Sequence, residues 1–354
     1  MKTFGIIMAG GGGTRFWPLS RLKRPKQLLN LSGKSEMINE TAERLKKVLP
    51  KENLFVYTAR VQKKKVIETS AGRIFPENVI AEPCAKNTAA CIAYAAVKIV
   101  KEHGDGVMIV SPSDAYIKNE DEYARILGKA ATAAEKSDSL ITVGIKPTFP
   151  ATGYGYIKAG ETEGEFKRVE RFVEKPDLIT AEKYVADGGY LWNSGVFIWK
   201  ASAILKEFEK YLPDIYAEFK NVYSALNTPK ESKAANAAYS KIRSVSIDYG
   251  IMEKAENVFV AVGDFGWNDV GSWDMMPVLN KTDENNNVVV GDVIAVNVKN
   301  SIAYSSGRTV ALVDVDNLVV VETADAVLVC PKNKAQNVKK IVEEIKKAGR
   351  ENLL

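Results

Sequence analysis

An apolar stretch, Phe4 to Ala9, runs directly into Gly10-Gly11-Gly12-Gly13-Thr14-Arg15, and Pro25-Lys26-Gln27 follows shortly after. Four consecutive glycines let the backbone turn with its N–H groups converging, and no side chain keeps an anion from reaching them. A strand ending in such a loop predicts a phosphate cradle. The spacing excludes two common cradles. A Walker A loop needs a Lys-Ser or Lys-Thr after its last glycine, and the dinucleotide fingerprint needs a third glycine where Arg15 or Phe16 stands. What remains is a glycine loop with two nearby cations, Arg15 and Lys26, suited to a polyphosphate whose charge shifts during phosphoryl or nucleotidyl transfer.

The loop opens a regular alternation. Apolar runs at Phe4–Ala9, Leu54–Tyr57, Val79–Ala81, Val107–Ser111 and Leu140–Ile145 are separated by amphipathic stretches near Glu36–Val48, Val61–Ile74, Thr88–Lys101 and Glu122–Ala134. Unbroken apolar strands between helices predict an α/β fold with a mainly parallel, mixed, Rossmann-like sheet covered on both faces. Ligands in such sheets bind at the carboxyl ends of strands, so the loops after Ala9, Ala81 and Ser111 should share one edge. Tyr154 to Trp199 is richer in strands and turns, Ala201 to Lys241 reads as a helical cluster, and together they make an insertion expected to form the second wall of a cleft. After Asn285-Asn286-Asn287 the texture changes to short β-branched runs at Val288–Val290, Val293–Val298, Val310–Val315, Leu318–Val321 and Ala326–Val329, then an amphipathic helix from Gln336 to Ala348. Residues 1–282 are therefore assigned to the α/β domain and 283–354 to a compact β-rich domain, without a strict hexapeptide repeat.

Composition narrows the chemistry. The net charge of +5 is spread over mixed charges, and no basic stripe interleaved with aromatics appears, so nucleic acid is not an expected partner. No apolar run is long enough to span a bilayer, and no signal-peptide pattern opens the chain. Cys84, Cys91 and Cys330, with the single His103, supply neither a disulfide framework nor a thiolate or imidazole metal site. Any metal must be held by oxygen, which points to Mg2+ or Mn2+, and a reducing cytoplasm is the expected location.

The stretch Gly10 to Gln27, GGGGTRFWPLSRLKRPKQ, resembles the N-terminal motif of the sugar-1-phosphate nucleotidyltransferases, and its Phe-Trp-Pro-Leu-Ser-Arg core resembles the mannose-1-phosphate guanylyltransferases. Further matches follow in family order: Glu82-Pro83 with Asn87-Thr88, Pro112 to Asp114, Phe172-Val173-Glu174-Lys175-Pro176, Trp192-Asn193-Ser194-Gly195, and Gly266-Trp267-Asn268-Asp269-Val270-Gly271-Ser272-Trp273. The resemblance implies transfer of a nucleotidyl group from GTP to mannose 1-phosphate, a C-terminal left-handed β-helix, and a homodimer formed through it. Guanine and mannose rest on the resemblance. Glucose 1-phosphate with UTP or dTTP is the alternative within the class, and a catalytically silent nucleotide-sugar-binding subunit the alternative outside it.

Such transfer needs no nucleophile from the protein, because a phosphate monoester attacks the α-phosphorus directly. The protein must align two anions and absorb their charge. Arg15 and Lys26 are assigned to the triphosphate and its transition state, with the amides of Gly10, Gly11, Gly12, Gly13 and Thr14 on the β and γ phosphates. Asp114, after a buried strand, and Asp269, between Trp267 and Gly271, are the candidate metal carboxylates, with Asp264 as a substitute for the second. Glu174 and Lys175, halted by Pro176, suit sugar hydroxyls and a sugar phosphate. Asn193, Gly195, Gly153 and Gly155 offer an amide and bare backbone to the hexose, and by resemblance Glu82, Asn87 and Thr88 lie near the base and ribose. The chain departs from the family where Pro112-Ser113-Asp114-Ala115 replaces a common Pro-Ala-Asp-His, and where Lys86 precedes Asn87-Thr88 in place of arginine.

Overall fold

In the computed structural model, which describes residues 1–354, the apolar runs of the first half become β1 (Thr3–Ala9), β2 (Leu54–Ala59), β3 (Val79–Glu82), β4 (Val107–Pro112), the two-residue β5 (Tyr116–Ile117) and β6 (Leu140–Ile145). Between them lie α1 (Met37–Lys46), α2 (Lys63–Thr69), α3 (Asn87–His103) and α4 (Glu120–Lys136). β6 is buried along its whole length and β4 along all but its last residue, as strands covered on both faces must be. α4 begins where its sequence says it should: the Asn119 side chain accepts from the Glu122 amide, and Glu120, Asp121 and Glu122 sit on the positive end of the helix.

The following strands, β7 (Gly155–Glu163), β8 (Phe166–Glu174), β9 (Tyr190–Lys200) and β10 (Val258–Gly263), complete a nine-stranded sheet of order β3-β2-β1-β4-β9-β6-β10-β8-β7. β3, β2, β1 and β4 are mutually parallel, so the loops after β1, β3 and β4 emerge along one edge. β9 runs antiparallel to both β4 and β6, which brings its first residues to that same edge. The sheet is mixed, and its parallel half carries the glycine loop.

Between β8 and β9 lies α5 (Leu178–Asp187), and after β9 come α6 (Ala201–Tyr211), α7 (Pro213–Ala225) and α8 (Glu231–Lys241). Of the insertion expected to form the cleft wall, the strand-rich part does so, through the starts of β7 and β9, and the helices do not. Instead α6 and α7 pack on α3, and the apolar faces of all three enter one core behind the sheet. The reason is visible in α3, whose alanines at 89, 90, 93, 95 and 96 are all buried and leave room for helices on the far side.

The two-residue β11 (Trp267–Asn268) pairs with β5, and α9 (Met276–Leu279) leads into the C-terminal domain. There β12 (Val288–Val290), β14 (Ile302–Ser305) and β16 (Leu318–Glu322) stack in parallel, and β17 (Val327–Pro331) closes them antiparallel. β13 (Val293–Val296) and β15 (Val310–Val313) form a second parallel layer. The repeat escaped the sequence reading because its period is 17 residues, not six: Val293 lies over Val310 and Ile302 over Val319. Corners recur at the same interval, with Asn297 and Asp314 at φ 54° and 53° and Asn300 and Asn317 at 48° and 55°. Asn and Asp tolerate this left-handed conformation, and their side chains stack, Asn297 donating to Asp314 at 2.9 Å. These corners end β13 and β15 earlier than expected and create β14, which was not foreseen.

The final helix, α10 (Val338–Lys347), returns to the α/β domain. Val338, Val342 and Ile345 on α10 share a single core with Phe16, Trp17, Trp273, Val288, Ile302 and Val319. The two parts of the chain are thus fused through apolar packing directly beneath the glycine loop.

Candidate active site

The glycine loop is held from below. Gln27 Nε2 donates to the carbonyls of Ala9 at 2.7 Å and Gly11 at 3.2 Å, and Ser20 Oγ donates to the Gly13 carbonyl at 2.8 Å. Gly13 has φ 59° and lies against Lys26, so a Cβ there would be both strained and in collision with that side chain. The Pro25-Lys26-Gln27 segment therefore serves two purposes: Gln27 fixes the loop, and Lys26 crosses beneath it.

Lys26, only 5 % exposed, places Nζ 3.0 Å from Asp114 Oδ2, 2.8 Å from the Asp114 carbonyl and 2.5 Å from the Asp269 carbonyl. The Asp114 turn is anchored on either side by α1, where Thr41 Oγ1 donates to the Ser113 carbonyl at 3.3 Å and Arg44 to the Ala115 carbonyl at 2.9 Å. Asp269 Oδ1 accepts from the Tyr154 hydroxyl at 2.5 Å. Burial raises the Asp269 carboxyl above its usual range, against the lowering effects of the Tyr154 hydrogen bond and Lys26, and neighbouring Asp114 adds to the rise. Two carboxylates thus face one space with only part of their charge offset. Tyr154 is seated among Trp192 and Trp267, with ring centroids 5.1 and 5.3 Å away.

This space is a cleft of about 510 Å³, and only 5 of its 22 lining residues are hydrophobic. Such a surface suits a polar, charged ligand. Arg15, Lys26, Asp114, Asp269, Gly13, Thr14, Thr88, Gly153, Gly155, Glu174, Asn193 and Gly195 all line it. Arg15 has no acidic partner and reaches only the Gly271 carbonyl, at 3.5 Å. At the far end, β7–β8 register sets Gly155 opposite Glu174. Gly195, at φ 74°, belongs to the irregular start of β9 and leans on Pro112.

Next to this cleft, sharing Met8, Thr88 and Pro112 with it, is a second hollow of about 320 Å³ lined by Gly10, Gly11, Glu82, Lys86 and Asn87. Glu82 Oε1 accepts from Tyr239 at 2.8 Å, while Oε2 faces Gly10. Burial pushes the Glu82 carboxyl up to about 7, opposed by the Tyr239 hydrogen bond. The Asn87 side chain accepts from the adjacent Thr88 amide at 2.8 Å without capping α3, and the Thr88 hydroxyl accepts from the Ile247 amide at 2.8 Å. Lys86 is turned away onto the Ile242 carbonyl at 2.7 Å.

Several expected residues stand differently. Gly10 and Gly11 line the second hollow, and Gly12 faces a crevice under α10, so the four glycines do not form one cradle. Lys175, at φ 49°, lies outside the lined cleft with Nζ on Glu174 at 2.5 Å, because the left-handed turn before Pro176 directs it outward. Asp264 is exposed on its loop and is no substitute for Asp269. Three lining residues went unforeseen. Tyr154 lies in a Thr-Gly-Tyr-Gly run read only for its glycines. Asp248 begins a π-helical turn, Asp248–Met252, with no motif around it; it accepts from Asn193 Nδ2 at 2.9 Å, and burial, reinforced by Glu174, raises its carboxyl to about 6. Lys339 comes from α10, beyond every recognised motif.

A nucleotidyl transferase family model matches residues 4–286, and a mannose-phosphate isomerase/GMP-like β-helix domain model matches 291–345. Mannose-1-phosphate guanylyltransferase of Escherichia coli K12 is 39% identical over 360 residues, covering 99% of this chain and 74% of its own. Xanthan biosynthesis protein XanB of Xanthomonas campestris is 42% identical over 346 residues, covering 98% of this chain and 73% of its own. Among solved structures, a Thermus thermophilus protein described as a mannose-1-phosphate geranyltransferase superposes with a TM-score of 0.89 at 34% identity, covering 98% of this chain and all of that one. A UDP-glucose pyrophosphorylase, at 16% identity and a TM-score of 0.50, shares the fold alone.

Since the Tyr154 hydrogen bond lowers the Asp269 carboxyl, its loss in Tyr154→Phe should raise that carboxyl further. Carbon-13 NMR titration of the labelled aspartates measures this, and an unmoved Asp269 would show that the bond carries no charge stabilisation.

Proposed function

The chain belongs to the nucleotidyl transferases, in the mannose-1-phosphate guanylyltransferase group, and from that membership we propose that its cleft joins mannose 1-phosphate to GTP, releasing pyrophosphate. The observation that carries the reading is the convergence of Arg15, Lys26, Asp114 and Asp269 on one polar cleft, with Glu174, Asn193 and Asp248 at its far end. A cleft so poor in apolar lining has no place for a geranyl chain. A phosphate oxygen of the sugar phosphate forms a bond to the α-phosphorus of GTP, and the α-phosphorus to β-phosphate oxygen bond breaks with its electron pair leaving on pyrophosphate. Lys26 and Arg15 stabilise the charge that builds on the phosphoryl oxygens, and Thr14 with Gly13 faces the departing phosphates.

Asp114 and Asp269 would hold a magnesium ion. Two oxygen ligands from the protein, with phosphates and water for the rest, are the donor set this ion takes, and the mutual repulsion of the carboxylates fits a cation between them. Bound there, it supplies Lewis-acid charge neutralisation on the phosphates. Asp269→Asn should lower kcat by about a thousandfold while retaining part of the GTP affinity, read by pyrophosphate release and by calorimetry. Unchanged turnover would refute the metal role. Turnover of a panel of triphosphates and hexose 1-phosphates tests the substrates; none at all favours the silent subunit.

Glu82 supports guanine. A carboxylate accepts two hydrogen bonds, matching the adjacent N1–H and N2–H donors of guanine, whereas the Watson–Crick edge of uracil or thymine sets carbonyl oxygens beside its single N–H. With its carboxyl near 7, Glu82 gains a proton as pH falls and then offers a donor where guanine also donates. Hence kcat/KM for GTP should fall as pH drops through about 7, since this ratio reports the free enzyme. Glu82→Gln should lower the ratio and remove that limb; a limb that survives would assign it to the substrate phosphates.

We also infer a homodimer through the C-terminal domain. Ile294, Val296 and Val313, each more than half exposed, make an apolar face on the β13–β15 layer. Light scattering should find a dimer, and Ile294→Asp should shift it to monomer; a wild-type monomer would exclude the interface. Three free cysteines suit a reducing cytoplasm, checked by cell fractionation.

A further inference from the structure

We propose that Lys339, in the first turn of α10, binds the pyrophosphate half of the triphosphate, so that the C-terminal domain completes the phosphate site. The inference rests on the nucleotidyl-transfer reading. Lys339 lines the same cleft as Gly13, Thr14 and Arg15. Its helix packs on the Thr14–Phe16 turn. Gln336 Nε2, just before that helix, donates to Ser272 Oγ at 2.7 Å, next to the Gly271 whose carbonyl Arg15 reaches. Lys339 therefore belongs to the glycine-loop end of the cleft.

Its charge is uncommitted. Lys339 makes no ion pair and no side-chain hydrogen bond, and the first turn of α10 holds Lys339 and Lys340 with no acidic residue. Helical starts favour acids, and neither this turn nor the 3-10 turn Lys332–Asn337 that leads into it carries one in its first turn, so the positive potential here is unneutralised. Local rules broken in this way mark sites where the stability lost serves a ligand. Lys26, by contrast, already holds three oxygens, which leaves Arg15 as the other free cation at this end. A triphosphate laid along the cleft needs more than Arg15 for its outer phosphates, and Lys339 supplies it.

The helix is also held rigidly enough for the task. Val338, Val342 and Ile345 are buried in the shared core, and the Leu353 carbonyl beyond the helix accepts from Trp17 Nε1 at 2.9 Å and from Arg21. A cation on an element fixed in this way loses little entropy in binding, unlike one on a loose tail.

The test compares Lys339→Ala, Lys339→Arg and Lys340→Ala with wild type, all with magnesium. If wild type fails to turn over GTP and mannose 1-phosphate, it is the catalytic reading that fails. Given turnover, Lys339→Ala should raise KM for GTP forward, and for pyrophosphate in reverse, about tenfold, the worth of a charge-assisted contact at an exposed site. KM for mannose 1-phosphate should stay within about twofold of wild type, Lys339→Arg should recover most of the loss, and Lys340→Ala should behave as wild type. Calorimetric binding of pyrophosphate alone should weaken in parallel. Unchanged KM for pyrophosphate in Lys339→Ala, or an increase confined to the sugar phosphate, would overturn the proposal. Equal thermal melting of wild type and variants separates this loss from damage to α10.

Discussion

The Lys26 ammonium is the point from which the cleft is hung. An ammonium has three protons to donate, and Lys26 places its nitrogen against three oxygens: the Asp114 carboxylate, the Asp114 carbonyl and the Asp269 carbonyl. Burying a charge is costly unless it is fully paired, and here the pairing is complete. One side chain thereby fixes the separation of two turns that are far apart in sequence and lie on different strands of the cleft. Its neighbour Gln27 ties the same short segment to the end of β1. That is the preorganisation charge stabilisation requires.

A second constraint comes from the far end of the chain. A β-domain attached through a polar linker would move independently, but here Trp17 and Trp273 of the α/β domain share a core with Ile302, Val319 and Val342 of the C-terminal domain. Trp273 Nε1 donates to the Trp17 carbonyl at 3.1 Å, and Trp17 Nε1 donates onward to Leu353. The residues that follow the glycine loop thus rest on the C-terminal helix. The Phe-Trp-Pro-Leu-Ser segment, which contributes only Trp17 and Ser20 to a minor crevice and nothing to the main cleft, has its explanation in this support.

Much of this was legible in the residues because the signals were local. Unbroken apolar runs gave β1, β4 and β6, and the loop after each parallel strand had to lie at the ligand edge. The convergence of Arg15, Lys26, Asp114 and Asp269 on one cleft was readable because each stands in a short pattern at a loop of the ligand edge. The failures share one cause, that the deciding contact lies far away in sequence. Gly12 could not be told from Gly13 without knowing that α10 passes beneath it. Asp248 depends on a π-helical turn and on Asn193, 55 residues earlier. Lys86 retains the charge expected of it but directs it onto the Ile242 carbonyl. The β-helix corners were hidden by a period longer than the one sought, although Asn297, Asn300, Asp314 and Asn317 carry the repeat openly once the register is known.

Charge is distributed unevenly along the cleft. Arg15, Lys26 and Lys339 stand with Asp114 and Asp269 at the glycine-loop end, whereas the far end carries Asp248 and Glu174, the latter paired with Lys175, and burial together with the Glu174 charge raises the Asp248 carboxyl. Carboxylates accept hydrogen bonds from hydroxyls, so on the proposed reading this end suits the hydroxyls of a hexose better than its phosphate. The proposed pose then sets those hydroxyls towards Glu174, Asn193 and Asp248 and the phosphate towards Lys26, where the in-line displacement of the proposed reaction would take place.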